Sequence, residues 1–141
     1  MKPTNQITVL GRIAKAAEVK ELSPGKSVIN FTVVHSEKYL QGGQSKEKAA
    51  WYNCAIFRAS DKTGVAPYLR KGTTVYITGE VSARPYIVEE NGEKKAKAQL
   101  NILVGHVELC GSPDKNTDES ELDDQFNSLP QQGESDENLP F

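Results

Sequence analysis

Aromatic rings stand beside cations at several points along this chain, and that pairing suits one kind of ligand. Lys38 precedes Tyr39, Arg58 follows Phe57, and Arg84 lies two residues before Tyr86. The only tryptophan, Trp51, falls in the strand-like run Trp51-Tyr52-Asn53-Cys54-Ala55-Ile56-Phe57. Period-two alternation puts Trp51, Asn53, Ala55 and Phe57 on one face of that run and Tyr52, Cys54 and Ile56 on the other. The second set suits an interior. The first places an indole and a benzyl ring where polar residues are ordinarily found. Every base has a π-face to stack and every nucleotide a phosphate to neutralise, so rings interleaved with cations suit single-stranded nucleic acid. Taken singly, each ring is better explained as core. The shared face of Trp51 and Phe57 is what points to a platform, and Tyr39 and Tyr86 stay open on this argument. Lys94, Lys95 and Lys97 add charge on the opposite arm of the hairpin that carries Arg84 and Tyr86.

Other chemistry finds little support. No Ser/His/Asp or Cys/His set stands at suggestive spacing, and no carboxylate pair stands out before the tail, so no catalytic residue is assigned and an enzyme is not expected. Gly42-Gly43 lacks the Lys-Ser/Thr that completes a phosphate-binding loop. His35 and His106 are isolated from other ligating residues, so neither a metal nor a cofactor is expected. Cys54 and Cys110 form no CxxC pairing and read as small buried hydrophobes in a reducing compartment. The N-terminal residues lack the apolar run of a signal peptide, and no stretch approaches the ~20 apolar residues of a membrane span. A cytoplasmic location is expected, without membrane association.

The elements that must position these residues are short strands between turns. Gln6 to Ile13, Val28 to Val34, Trp51 to Phe57 and Thr73 to Val81 read as four strands, with Gly11 a bulge or close-approach point. Pro24-Gly25 marks a turn, and Gln41-Gly42-Gly43-Gln44-Ser45 reads as a polar loop. Asn91-Gly92 closes a hairpin between Arg84 to Val88 and Lys97 to Val107. Asp61, the Val65/Tyr68/Leu69 stripe and Gly72 predict one helix, kept short by Pro67. Three strands, a short helix and further strands give an all-β fold, a five-stranded OB-fold Greek-key barrel. Another small barrel or sandwich shares that pattern before motifs are weighed.

Charge divides the chain in two. To Gly111 there are 16 Lys and Arg against 10 Asp and Glu; from Ser112 onward one Lys faces nine acids. A basic body invites a polyanion, which an acidic tail repels or competes with. The tail holds Leu122, Phe126 and Leu129 as its only large apolar residues before the terminal six. That is too little to offset an ordering cost of about 1 to 2 kcal/mol per residue, so the tail is expected to be disordered. The expected organisation is a nucleic-acid-binding domain over 1–111, a disordered acidic linker over 112–135 and an interaction tip over 136–141. That tip, Asp136-Glu137-Asn138-Leu139-Pro140-Phe141, joins two carboxylates to an apolar end.

Together these residues resemble the bacterial single-stranded DNA-binding protein family. The likeness covers roughly Asn5 to Gly111 and the final six residues. It is carried by Asn5-Gln6-Ile7-Thr8-Val9-Leu10-Gly11-Arg12, Ala17-Glu18-Val19, Asn30-Phe31-Thr32-Val33 and Ser36-Glu37-Lys38-Tyr39. The Trp51–Phe57 run, Tyr68-Leu69-Arg70-Lys71-Gly72 and Val75-Tyr76-Ile77-Thr78-Gly79-Glu80-Val81 follow in the same order. The resemblance implies base stacking at Tyr39, Trp51, Phe57 and Tyr86. The family commonly has tryptophan where Tyr39 and Tyr86 stand, so weaker stacking is implied at those two. It also implies basic contacts at Arg12, Lys38, Arg58, Arg70, Lys71 and Arg84; Arg70 and Lys71 read equally as solvated charges at a helix end.

By the same likeness the tip docks on replication, recombination and repair proteins, with Phe141 in an apolar pocket. Asn138 interrupts the run of acids usual in the family. Homotetramers and a place at the nucleoid are implied too. The rival expectations are an RNA-binding OB-fold protein, separated by matched DNA and RNA oligomers, and a protein-interaction module acting through its tail, which would bind no single strand.

Overall fold

The computed structural model describes residues 3–111 together with Phe126 and Leu129. Five strands account for nearly all of it: β1 (Ile7–Ser23), β2 (Lys26–Gln41), β3 (Gln44–Ala59), β4 (Thr74–Glu90) and β5 (Glu93–Gly111). Where they stop is decided by turn chemistry. Gly42 and Gly43 (φ 60° and 80°) and Asn91 and Gly92 (φ 52° and 78°) all take left-handed backbone. Two such residues in a row form the tight turn whose twist matches the strands it joins. The stretch expected as a polar loop, 41–45, is therefore a two-residue hairpin turn, and Gln41 pairs with Gln44 across it. β2 and β3 run on as a ribbon well past the expected runs, as do β4 and β5 beyond the hairpin limits expected around Asn91-Gly92.

The strands close into a barrel in the order β1-β2-β3-β5-β4, with β4 back against β1. β3 and β5 pair in parallel, from Tyr52↔Leu100 to Ala55↔Leu103, and the other pairings are antiparallel. This is the expected OB-fold arrangement. The short helical element lies between β3 and β4 as two single 3-10 turns, Ser60–Lys62 and Ala66–Tyr68. Pro67 cannot donate the hydrogen bond that a continuing α-helix needs, and Asp61 sits inside the first turn instead of capping a helix. The segment still anchors the barrel. Leu69 is 1% exposed, the Ala17 amide donates to the Leu69 carbonyl (3.0 Å), and the Gly72 amide donates to the Ile13 carbonyl (2.8 Å).

Alternate residues fill the interior: Val9 and Ile13 from β1, Ile29, Phe31 and Val33 from β2, and Cys54 and Ile56 from β3. Val75 and Ile77 of β4 and Ile102 and Val104 of β5 complete the core. At Gly11 and Gly79 the strands come too close for a side chain. A Cβ would lie 2.6 Å from the Val34 carbonyl oxygen at Gly11 and 2.1 Å from that of Leu103 at Gly79. Burial pushes the Cys54 thiol up to about 12. The second cysteine departs from expectation. Cys110, one residue from the end of β5, is exposed, because the strand has by then left the core.

Candidate nucleic-acid interface

The ladder register assembles a band on the barrel exterior. β1 sends Ile7, Val9, Gly11 and Ile13 inward, so Leu10 and Arg12 point out. Arg12 is opposite Val34, and Val34 is opposite Trp51. Trp51 lies one step before the Tyr52↔Leu100 pair, beside Gln99 of β5, and Gln99 is opposite Arg84 of β4. Arg12, Val34, Trp51, Gln99 and Arg84 thus run across five adjacent strands on one surface. An indole sits between two guanidiniums, with amides alongside: Gln99 Nε2 donates to Asn101 Oδ1 (3.1 Å), and Thr32 Oγ1 donates to Asn53 Oδ1 (3.4 Å). An aromatic face, positive charge and hydrogen-bonding edges occur together here, the features that a single-stranded nucleic acid requires of a surface.

The remaining sequence-predicted residues divide. The face expected for β3 is the one found: Cys54 and Ile56 are buried, Tyr52 packs against the core, and Phe57 is 53% exposed. Phe57 lies six residues from Trp51, roughly 20 Å along the strand, so the two rings occupy separate parts of the surface. It lines an apolar groove of about 470 Å³ with Leu22, Lys26 and Arg58. On the β4–β5 ribbon, Arg84 and Tyr86 share a face with Lys97, which is opposite Tyr86, and with Lys95, which is opposite Val88. Lys95 and Lys97 also reach Glu90 (3.7 and 3.5 Å). Lys94 is opposite Glu89 and projects from the other face. Tyr39 pairs with Lys46, five residues beyond Val34, which puts it on the opposite face of the ribbon from Trp51.

Lys38 keeps the parity of Val34 and lines a concavity of about 460 Å³ with Leu10, Arg12, Glu47 and Thr74. Lys71 reaches the same place from the segment before β4, while Arg70 is exposed. The concavity holds a residue that the sequence placed in the tail. The Phe126 ring lies 5.9 Å from the Arg12 guanidinium carbon and 5.4 Å from Lys71 Nζ, and it packs on Val34. Sequence reasoning missed Val34 and Gln99, whose places follow only from register, and it missed Phe126 altogether. Apart from Phe126 and Leu129, the expected linker over 112–135 and the tip over 136–141 lie outside the described residues.

Among the described residues no group of three or more His, Cys, Asp or Glu side chains is placed to hold a metal ion, and no helix is long and apolar enough to cross a membrane. Fold and surface together define an OB-type barrel whose exterior carries a ring, cations and amides in one row.

Residues 4–110 match the model of the Single-strand binding protein family, and the chain belongs to that family. The Single-stranded DNA-binding protein of Neisseria meningitidis serogroup A is 28% identical over 114 residues, a match covering 80% of this chain and 63% of that relative. The matched region thus spans just under two thirds of the relative's length. Among solved structures, a Plasmodium falciparum SSB in complex with ssDNA superposes with a TM-score of 0.58 at 23% identity, covering 79% of this chain and 96% of that one. The small single-stranded DNA-binding protein of Streptomyces coelicolor gives 0.57 at 14%, covering 77% and 96%. These two likenesses are of fold.

Proposed function

We propose that this protein binds single-stranded DNA without regard to sequence and protects it during replication, recombination and repair. The observation that carries the reading is the exterior row Arg12–Val34–Trp51–Gln99–Arg84, where ring, cation and amide alternate across five strands. Rings and cations do not read base identity, so affinity is spread over all sequences. Bases stack on Trp51 and Phe57, with Tyr86 and Tyr39 on the two ribbons, and the phosphates meet Arg12, Lys38, Arg58, Lys71, Arg84, Lys95 and Lys97. Arg70 and Lys94 are the outlying members of that set. The protein is a binding protein and not an enzyme.

The tip, residues 136–141, recruits replication, recombination and repair proteins, and the protein works in the cytoplasm at the nucleoid. The chain assembles as a homotetramer. In support, Leu10 and Tyr76 face each other across β1 and β4 on the barrel exterior and are 55% and 38% exposed.

Anisotropy titrations with labelled oligo-dT, a duplex of equal length and the matched RNA oligomer test the reading. Tight binding to oligo-dT, with weak binding to the duplex and to RNA, is the expected outcome. Preference for the RNA would reassign the ligand, and no binding to any of the three would remove the function.

A further inference from the structure

Two further rows lie beside Arg12–Val34–Trp51–Gln99–Arg84 on the same exterior. Lys15, Thr32, Asn53, Asn101 and Ser82 are ladder partners in turn across the five strands, and so are Glu18, Asn30, Ala55, Leu103 and Glu80. The first row carries a cation at each end, the second is hydroxyl and amide after Lys15, and the third carries a carboxylate at each end. Those two carboxylates repel phosphates. The gradient therefore orients a strand, with its phosphates along the Arg12–Arg84 row and its base edges toward the amides. One place on the gradient is also shaped. β1 breaks register between Ile13 and Lys15 and again between Lys15 and Glu18, and such bulges re-aim side chains. Ile13 is core and Ala17 packs against it, whereas Lys15 and Glu18 line an outer hollow of about 230 Å³ with Asn30, Thr32 and Asn53. Thr32 Oγ1 occupies Asn53 Oδ1 (3.4 Å), which leaves the Asn53 amide nitrogen to donate. Among the described residues, the side chains of Lys15, Glu18 and Asn30 make no hydrogen bond or ion pair. Asn53 stands two residues from Trp51 on the same face, roughly 7 Å away, within reach of the edge of a base stacked on the indole.

We propose that this hollow is a base-edge subsite that favours cytosine over thymine. The Glu18 carboxylate can only accept hydrogen bonds, so it suits the exocyclic N4 amino group of cytosine. Thymine presents a carbonyl oxygen at the same position, and two acceptors then face each other without a proton. Lys15 and the amide nitrogens of Asn30 and Asn53 donate to the N3 and O2 acceptors of cytosine. The two pyrimidine rings are of equal size, so the discrimination lies at the edge and not in the stack. The rings and cations of the first row still accept every sequence, and the hollow adds a bias at one position. The inference rests on the reading that this face binds single-stranded DNA.

The test uses the full chain and its Glu18→Ala and Glu80→Ala variants, titrated by anisotropy with labelled oligo-dC and oligo-dT of equal length at pH 8. Free oligomers differ in backbone flexibility and self-stacking, so the readout is the ratio of the two Kd values, compared between proteins. Glu18→Ala is expected to shift that ratio against oligo-dC by roughly two- to fivefold, the effect of one lost hydrogen bond. Glu80→Ala removes the same charge from the other end of the row, away from the hollow, and should change both affinities alike. An unchanged ratio in Glu18→Ala overturns the subsite and leaves the DNA-binding reading standing. An equal shift of the ratio in both variants also overturns it, because charge alone would then explain the effect. Absence of binding to either oligomer in all three proteins overturns the DNA-binding reading and this inference with it. Glu18 and Glu80 are both exposed, and an unchanged melting temperature in each variant shows that the fold is intact.

Discussion

At Trp51 the register leaves a half-buried indole on the barrel exterior, beside Val34 on one strand and the amides of β5 on the other. In single-stranded DNA-binding proteins themselves, truncating a stacking ring to alanine costs about 1 to 3 kcal/mol per base, a magnitude carried over from those proteins. Trp51→Ala is therefore expected to weaken oligo-dT binding between about 5- and 150-fold with a melting temperature close to wild type; unchanged affinity would remove the indole from the binding surface. Arg84→Glu should make the log–log salt slope shallower by about 0.7 for each phosphate that is no longer neutralised. An unaltered slope would mean that Arg84 meets no phosphate.

Cys54 titrates in the opposite sense from a reactive thiol. Burial raises its pKa from 9.0 to about 12, so between those values the folded state holds a proton that the unfolded state has released. The stability this contributes is complete below about pH 9 and declines as pH rises toward 12. At pH 8 an aromatic disulfide reagent should label the exposed Cys110 quickly and Cys54 only after unfolding. Fast labelling of both in the native protein would contradict the burial.

At the scale of elements, the barrel depends on two close approaches. Gly79→Ala puts a methyl against the Leu103 backbone, which has no flexible end to move aside. Overpacking of this kind costs about 1 to 3 kcal/mol, and a thermal melt should show a Tm several degrees lower; an unshifted melt would mean the ladder gives way easily. The same scale shows what was legible in the sequence. The β3 face was readable because period two survives in Trp51 to Phe57, and Gly11 was readable because a lone glycine in a strand marks a close approach. The face of Tyr39 was not, because parity beyond Val34 depends on an unbroken ladder and a two-residue turn at Gly42-Gly43 that also read as a loop. Val65, Tyr68 and Leu69 gave a helical stripe, but Pro67 broke the backbone bonding and left 3-10 turns.

The whole molecule is a basic barrel joined to an acidic tail, and its described tail residues already touch the barrel. Periodicity could not have shown this, since Phe126 and Leu129 stand alone in a polar stretch and their partners Arg12, Val34 and Lys71 are remote in sequence. Deleting Phe141 is expected to abolish docking of partner proteins, measured by pull-down, while oligo-dT affinity stays the same or rises slightly; retained docking would refute the role of the tip.

Because Trp51 is the only tryptophan, its emission during an oligo-dT titration reports on the central surface alone. Strong quenching by oligo-dT, absent with duplex and diminished at high salt, is the result this account predicts. Saturable binding by anisotropy with the indole emission unmoved would put the strand elsewhere on the protein and contradict it.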